Sequence, residues 1–142
     1  MIIYQKPERL LLEVYGLSTQ GMSIVDLGIP VQQFAPSVEA AELGNTLLQL
    51  RRHERTGLPH PTDWKLSKQQ WLQHLGARSA RTFFKDCNVC SVEYSNGQFE
   101  IWATKTNGIG SSEYIGQPLV VSEEDAITLG KGVLRMLEQS QR

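Results

Sequence analysis

The chain has 142 residues, 40% apolar and 20% charged, which suits one globular domain and excludes a disordered tail. A formal net charge of −1 excludes a chain that is basic or acidic throughout. No apolar run approaches the roughly 20 residues that span a bilayer, and no basic segment leads into an apolar run at the N-terminus. Two cysteines without an export signal point to a reducing compartment, so the expected location is the cytosol. The charge is unevenly spread: residues 51–85 carry a balance of +6, and residues 86–130 one of −6.

In chain order, Leu10–Tyr15 is an apolar run too short for periodicity to separate strand from helix. Met22–Leu27 predicts a strand stopped by Gly28 and Pro30, and Val31–Phe34 a short extended piece. Ser37 is the candidate N-cap of a helix whose stripe is Ala40, Leu43, Leu47 and Leu50. Arg51, Arg52 and His53 follow in its last turn, where cations complement the dipole. Thr56–Pro61 is a break between layers of one domain. Ser67 is the candidate cap of a helix around Trp71, Leu72 and Leu75, ended by Gly76. Ser79 opens a short helix containing Phe83 and Phe84.

Two β-rich runs then flank Asn96–Gly97, the dipeptide that favours a two-residue hairpin turn. Counting outward, Ser95 faces Gln98, Tyr94 faces Phe99, Glu93 faces Glu100, and Val92 faces Ile101; Ser91 meets Trp102, and Cys90 meets Ala103. Cys90, Val92, Tyr94, Phe99, Ile101 and Ala103 make a core face. The other face carries Ser91, Glu93, Glu100, Thr104 and an exposed Trp102. Opposed like charges destabilise by up to about 1 kcal/mol. That face is therefore either merely solvated or meant for something basic. A loop at Asn107–Ser112, an extended return at Tyr114–Val121 and a terminal helix capped from Ser122–Asp125 close the chain. The terminal stripe is Ala126, Leu129, Val133, Met136 and Leu137. Its start echoes the Ser37 helix, with Gly44 and Gly130 each following a buried Leu. Those glycines are expected to allow close packing on a sheet.

Chemical motifs are thin. Cys87-x-x-Cys90 lacks the further ligands of a zinc site, and the hairpin register turns Cys90 into the core. The 107–113 loop departs from a phosphate-binding G-x-G-x-x-G at Glu113 and precedes no helix. Glu93 and Glu100 have no neighbouring nucleophile or third metal ligand. No catalytic set, metal site or cofactor motif is present, and the reading is a non-enzyme. The basic 51–85 stretch supports an alternative, a small nucleic-acid-binding module. Against it, Trp64, Trp71, Phe83 and Phe84 fall at core-like helical positions rather than on a stacking platform.

The order of features resembles the bacterial contact-dependent growth inhibition immunity proteins of the CdiI type. The features are the S-x-E-A-x-x-L-G helix, Trp64 with the Leu66–Gly76 helix, Phe83–Phe84 ahead of Cys90–Glu93, the Asn96–Gly97 hairpin, and Leu119–Gly130 with its terminal helix. The resemblance is strongest from Trp64 to Leu137. It implies a cytosolic inhibitor that binds the C-terminal toxin domain, often a nuclease, of a cognate CdiA effector; it carries over no catalytic or interface residue. The residues themselves nominate a toxin-binding surface of Glu93, Glu100 and Trp102 with Ile109, Ser111, Ser112, Glu113 and Tyr114, acidic and aromatic as a cationic partner would require. The expected architecture is a single α+β domain over residues 1–142, a mainly antiparallel sheet with packed helices. It needs neither nucleic acid nor a membrane.

Overall fold

Alternating strand-forming runs and turn signals give five short strands before the first helix. In the computed structural model, which describes residues 1–142, these are β1 (Ile2–Lys6), β2 (Arg9–Glu13), β3 (Tyr15–Leu17), β4 (Ser23–Val25) and β5 (Gln32–Phe34). Helix α1 (Ala40–Leu50) follows, extended by one 3-10 turn at Arg51–His53, then α2 (Trp64–Leu75) and α3 (Ala80–Phe84). The chain closes with β6 (Asn88–Ser95), β7 (Gln98–Thr106), β8 (Ser112–Ser122) and α4 (Ala126–Gln139). Six strands form one antiparallel sheet in the order β5-β2-β1-β6-β7-β8, while β3 and β4 form a separate ribbon. The expected α+β class and antiparallel sheet are therefore present.

Helices lie on both faces of the sheet, which explains why Leu10–Leu12 shows no alternation. Leu10 and Leu12 join Ile3, Cys90, Val92, Phe99 and Ile101 under α1 and α4. Leu11 turns the other way, to Tyr4, Val89 and Cys87 under Leu75, Phe83 and Phe84 of α2 and α3. Cys87, which the sequence left without a role, is fully buried in this second core. Strand β1 was not among the expected elements, yet it lies between β2 and β6 near the middle of the sheet. The Met22–Leu27 strand shortens to β4 and pairs with β3 outside the main sheet.

Two caps move and a third narrows to one residue. Helix α1 begins after Glu39, not Ser37; Asp63 rather than Ser67 caps α2, accepting from the Leu66 amide at 3.1 Å; and within Ser122–Asp125 it is Asp125 that caps α4, accepting from the Thr128 amide at 3.0 Å. An aspartate just ahead of the first helical residue outcompetes a serine placed elsewhere, because its carboxylate also meets the helix dipole. Ser79 caps α3 and Gly76 closes α2, as expected.

Gly44 and Gly130 pack on each other's helices, not on the sheet. A Cβ added at Gly44 would fall inside the carbonyl group of Ala126, and one at Gly130 inside that of Ala40. The two helices thus cross reciprocally through their first turns. Gly132 is the glycine that faces the sheet, where a Cβ would lie 2.9 Å from Leu119 and 3.0 Å from Ile101.

On the opposite face, Glu13 is fully buried. Its Oε1 accepts from the Tyr4 hydroxyl at 2.8 Å and from Trp71 Nε1 at 3.2 Å, tying α2 to the sheet; Oε2 has no hydrogen-bond partner. Burial raises this carboxyl to about 7, against the lowering effect of its Tyr4 and Trp71 donors.

Two outcomes follow from this packing. Gly44→Ala and Gly130→Ala should each lose about 3 kcal/mol in urea unfolding, the severe end of overpacking, because rigid backbone blocks the methyl. The double variant should lose less than the sum, since one separation of the helices relieves both clashes; a loss near zero for either single variant would mean the crossing is loose. For Glu13, the folded state keeps a proton between pH 4.5 and about 7 that the unfolded state has released. Stability should therefore fall as pH rises through this window, by about 3 kcal/mol at most. His74, lowered by burial, contributes the opposite slope below pH 6.5. The wild-type minus Glu13→Gln difference isolates the carboxyl; parallel stability–pH curves for the two proteins would refute its burial cost.

Candidate functional site

The hairpin forms in the register that the sequence dictates, with all six pairs from Ser95–Gln98 to Cys90–Ala103 in place. Asn96 and Gly97 take φ of 51° and 77°, the paired left-handed values of a type I′ turn. Cys90, Val92, Phe99, Ile101 and Ala103 are buried beneath α1 and α4. Tyr94 is only half-buried, and its hydroxyl donates to Glu123 Oε2 at 2.5 Å. That bond, followed by burial acting the other way and the Arg51 charge, holds Glu123 below the usual carboxylate range.

The second face differs from its reading in exposure rather than in membership. Ser91, beside the Tyr114 hydroxyl, and Thr104, whose hydroxyl donates to the Val89 carbonyl and whose amide donates to Ser140 Oγ, are buried while Glu93 stays exposed. Trp102 is not an exposed anchor. It is half-buried under Tyr114 of β8, the rings stacked at 4.7 Å and 16°. Tyr114 reaches across three strands: its hydroxyl donates to Glu93 Oε1 at 2.6 Å and lies 3.1 Å from Ser91 Oγ. Burial first, then the bond to Glu93, raises the Tyr114 hydroxyl above its ordinary value. The hydrogen bond also supplies what the opposed Glu93–Glu100 pair lacks, a donor on one carboxylate.

A bulge makes this arrangement possible. Ile101 pairs with Leu119 but Ala103 pairs with Ile115, leaving Gly116, Gln117 and Pro118 opposite Trp102 alone. Pro118 is tolerated because β8 is an edge strand, and the bulge swings Tyr114 over the indole.

The nominated residues therefore divide. Glu93, Glu100, Trp102 and Tyr114 form one cluster. Ile109 and Ser111 lie in the loop between β7 and β8, with Ile109 57% exposed at its tip, and Ser112 opens β8 opposite Thr106. Glu113 sits across from Lys105, one residue out of phase with Tyr114 and so on the opposite face. Asn107 closes the loop: its Oδ1 accepts from the amides of Ile109 at 3.0 Å and Ser111 at 3.2 Å.

Sequence reasoning missed two concavities. A cavity of about 380 Å³ opens at the ends of β1 and β2, lined mainly by apolar and aromatic residues with Arg51, Glu54 and Glu93, and it adjoins the Glu93–Tyr114 cluster. A groove of about 640 Å³ runs between the β3–β4 ribbon and α2, with Met22, Leu27, Trp64 and Leu66 on its walls. Trp64, read as core-like, is 55% exposed there. Elements distant in sequence form both, and no local pattern signals either.

The basic stretch is partly neutralised. Arg51 pairs with Glu123 at 3.3 Å, and Arg55 grips the buried Asp26 through two bonds of 2.6 and 2.7 Å. Phe83 and Phe84 are buried. The thiols of Cys87 and Cys90 are pushed up to about 11 and about 12 by burial, so neither is a nucleophile at neutral pH. No three His, Cys, Asp or Glu side chains cluster to hold a metal ion, and no helix is long and apolar enough to cross a membrane.

No family model matches the chain, and no curated protein matches it. Solved structures do. A protein of unknown function from Neisseria meningitidis superposes with a TM-score of 0.79 at 15% identity, over 99% of this chain and 93% of that one. A chain of a CdiA-CT/CdiI toxin and immunity complex from Yersinia pseudotuberculosis superposes with a TM-score of 0.77 at 14% identity, over 99% of this chain and 95% of that one. At such identities the likeness is one of fold, and it spans the whole chain.

Proposed function

We propose that this chain is an immunity protein of the CdiI type. In this reading it binds the C-terminal toxin domain of a cognate CdiA effector in the cytosol and blocks it without catalysis. The observation that carries the proposal is the whole-length fold likeness to a chain from a toxin–immunity complex, which agrees with the family resemblance of the sequence. The uncovered half of the sheet face supports it. Glu93 and Glu100, the Tyr114–Trp102 stack and the adjoining cavity offer charge and aromatic surface together. A cationic nuclease domain is the partner this surface fits, since charge complementarity speeds encounter and aromatic groups supply contact area. The nucleic-acid alternative is weaker, because ion pairs engage Arg51 and Arg55 and the candidate stacking rings Phe83 and Phe84 are buried.

Co-expression with the toxin domain encoded upstream should yield a co-purifying complex and restore growth to cells that express the toxin. In that complex, Glu93→Lys with Glu100→Lys should weaken toxin binding by about tenfold or more and reduce its dependence on salt. Calorimetry at two ionic strengths measures both quantities. An affinity and a salt slope that match the wild type would remove this face from the interface.

A further inference from the structure

The loop between β7 and β8 owes its place to residues far from it. Its own hydrogen bonds, from Ile109 and Ser111 to Asn107 Oδ1 and between Asn107 and Ser111, close it on itself. What sets it against the rest of the fold is Gly110. At φ 106° this residue lies in a region that side chains rarely adopt, and a Cβ there would fall 2.9 Å from Trp71 Cη2 and 3.3 Å from Phe84 Cε2. The loop backbone thus rests on an aromatic platform in which Trp71 stacks on Phe84 at 5.9 Å.

Trp71 in turn is held by Glu13, which takes its indole N–H while also taking the Tyr4 hydroxyl. A fully buried carboxyl group with one oxygen unpartnered is a poor way to stabilise a fold, and an apolar residue of similar volume would avoid its desolvation. What it does supply is orientation: the bond fixes which edge of the indole meets Gly110.

We infer that Trp71 is a positioning residue for the partner-recognition loop, with Glu13 setting its indole and Gly110 seating residues 107–113 on its ring. The recognition role rests on the toxin-binding reading, whereas the positioning stands on contacts within this chain. The loop then presents Ile109 and Ser111 in one arrangement before any partner arrives, which lowers the ordering cost of binding.

Amide hydrogen exchange on the intact protein tests it, with Trp71→Phe and Glu13→Leu. Both should speed exchange at Ile109 and Ser111 by about tenfold, the loss of one net interaction, while amides in α4 and β6 keep their rates. Glu13→Gln retains an oxygen that can accept the indole proton and should stay near wild type. A purely structural role would instead raise exchange throughout the domain. If Trp71→Phe unfolds the domain, Gly110→Ala, which pushes the loop off the ring directly, gives the same readout. Unchanged loop exchange in folded Trp71→Phe or Gly110→Ala would overturn the positioning role. Dissociation of the co-purified toxin domain should quicken in step with the loop. A loosened loop with unchanged dissociation would overturn the recognition role, whereas absence of any complex with wild type would refute the toxin-binding reading alone.

Discussion

The close crossing of α1 and α4 governs how the rest of the molecule is arranged. Each helix presents a glycine to the other's first carbonyl, so the two backbones meet with no side chain between them. This brings both helices within reach of a single sheet face. Leu43 and Leu47 from one and Leu129, Val133, Met136 and Leu137 from the other then share one buried cluster. A glycine within a helix is unfavourable by about 1 kcal/mol against alanine. Here the close approach repays it through the core beneath.

With that face closed, the remaining two helices have only half of the other face to cover. Helices α2 and α3 pack on β1 and β2 through Leu75, Phe83 and Phe84, and Glu13 pins α2 down through Trp71. The strands β7 and β8 extend beyond them. An open sheet face would normally be polar and alternating. This one carries a Tyr–Trp stack, two opposed carboxylates and an adjoining cavity. Uneven helix cover is therefore what exposes the surface proposed to meet the toxin.

The legible parts of the molecule were those set by short-range chemistry. The Asn96–Gly97 turn specified its hairpin completely, because a two-residue type I′ loop leaves no freedom in register and side chains alternate with period two. The Leu stripes of α1 and α4, the Gly76 stop and the Ser79 cap were legible for the same reason. Cap positions were less so: Ser37 and Ser67 matched the composition of a cap, but the residue next to the first helical turn decides, and at α2 that was Asp63, as Asp125 is within the Ser122–Asp125 stretch at α4.

By itself the sequence determined the hairpin, its two faces, the class of the fold and the membership of most of the acidic cluster, since these depend on residue type and spacing along one stretch. The tertiary structure decided exposure and neighbourhood. It put Tyr114 over Trp102, turned Glu113 to the other face, left Trp64 in the open and brought Gly44 against Ala126. Those outcomes hinge on a bulge in the edge strand and on which helices cover which half of the sheet. Both are settled by contacts between residues far apart in the chain, and no local pattern records them.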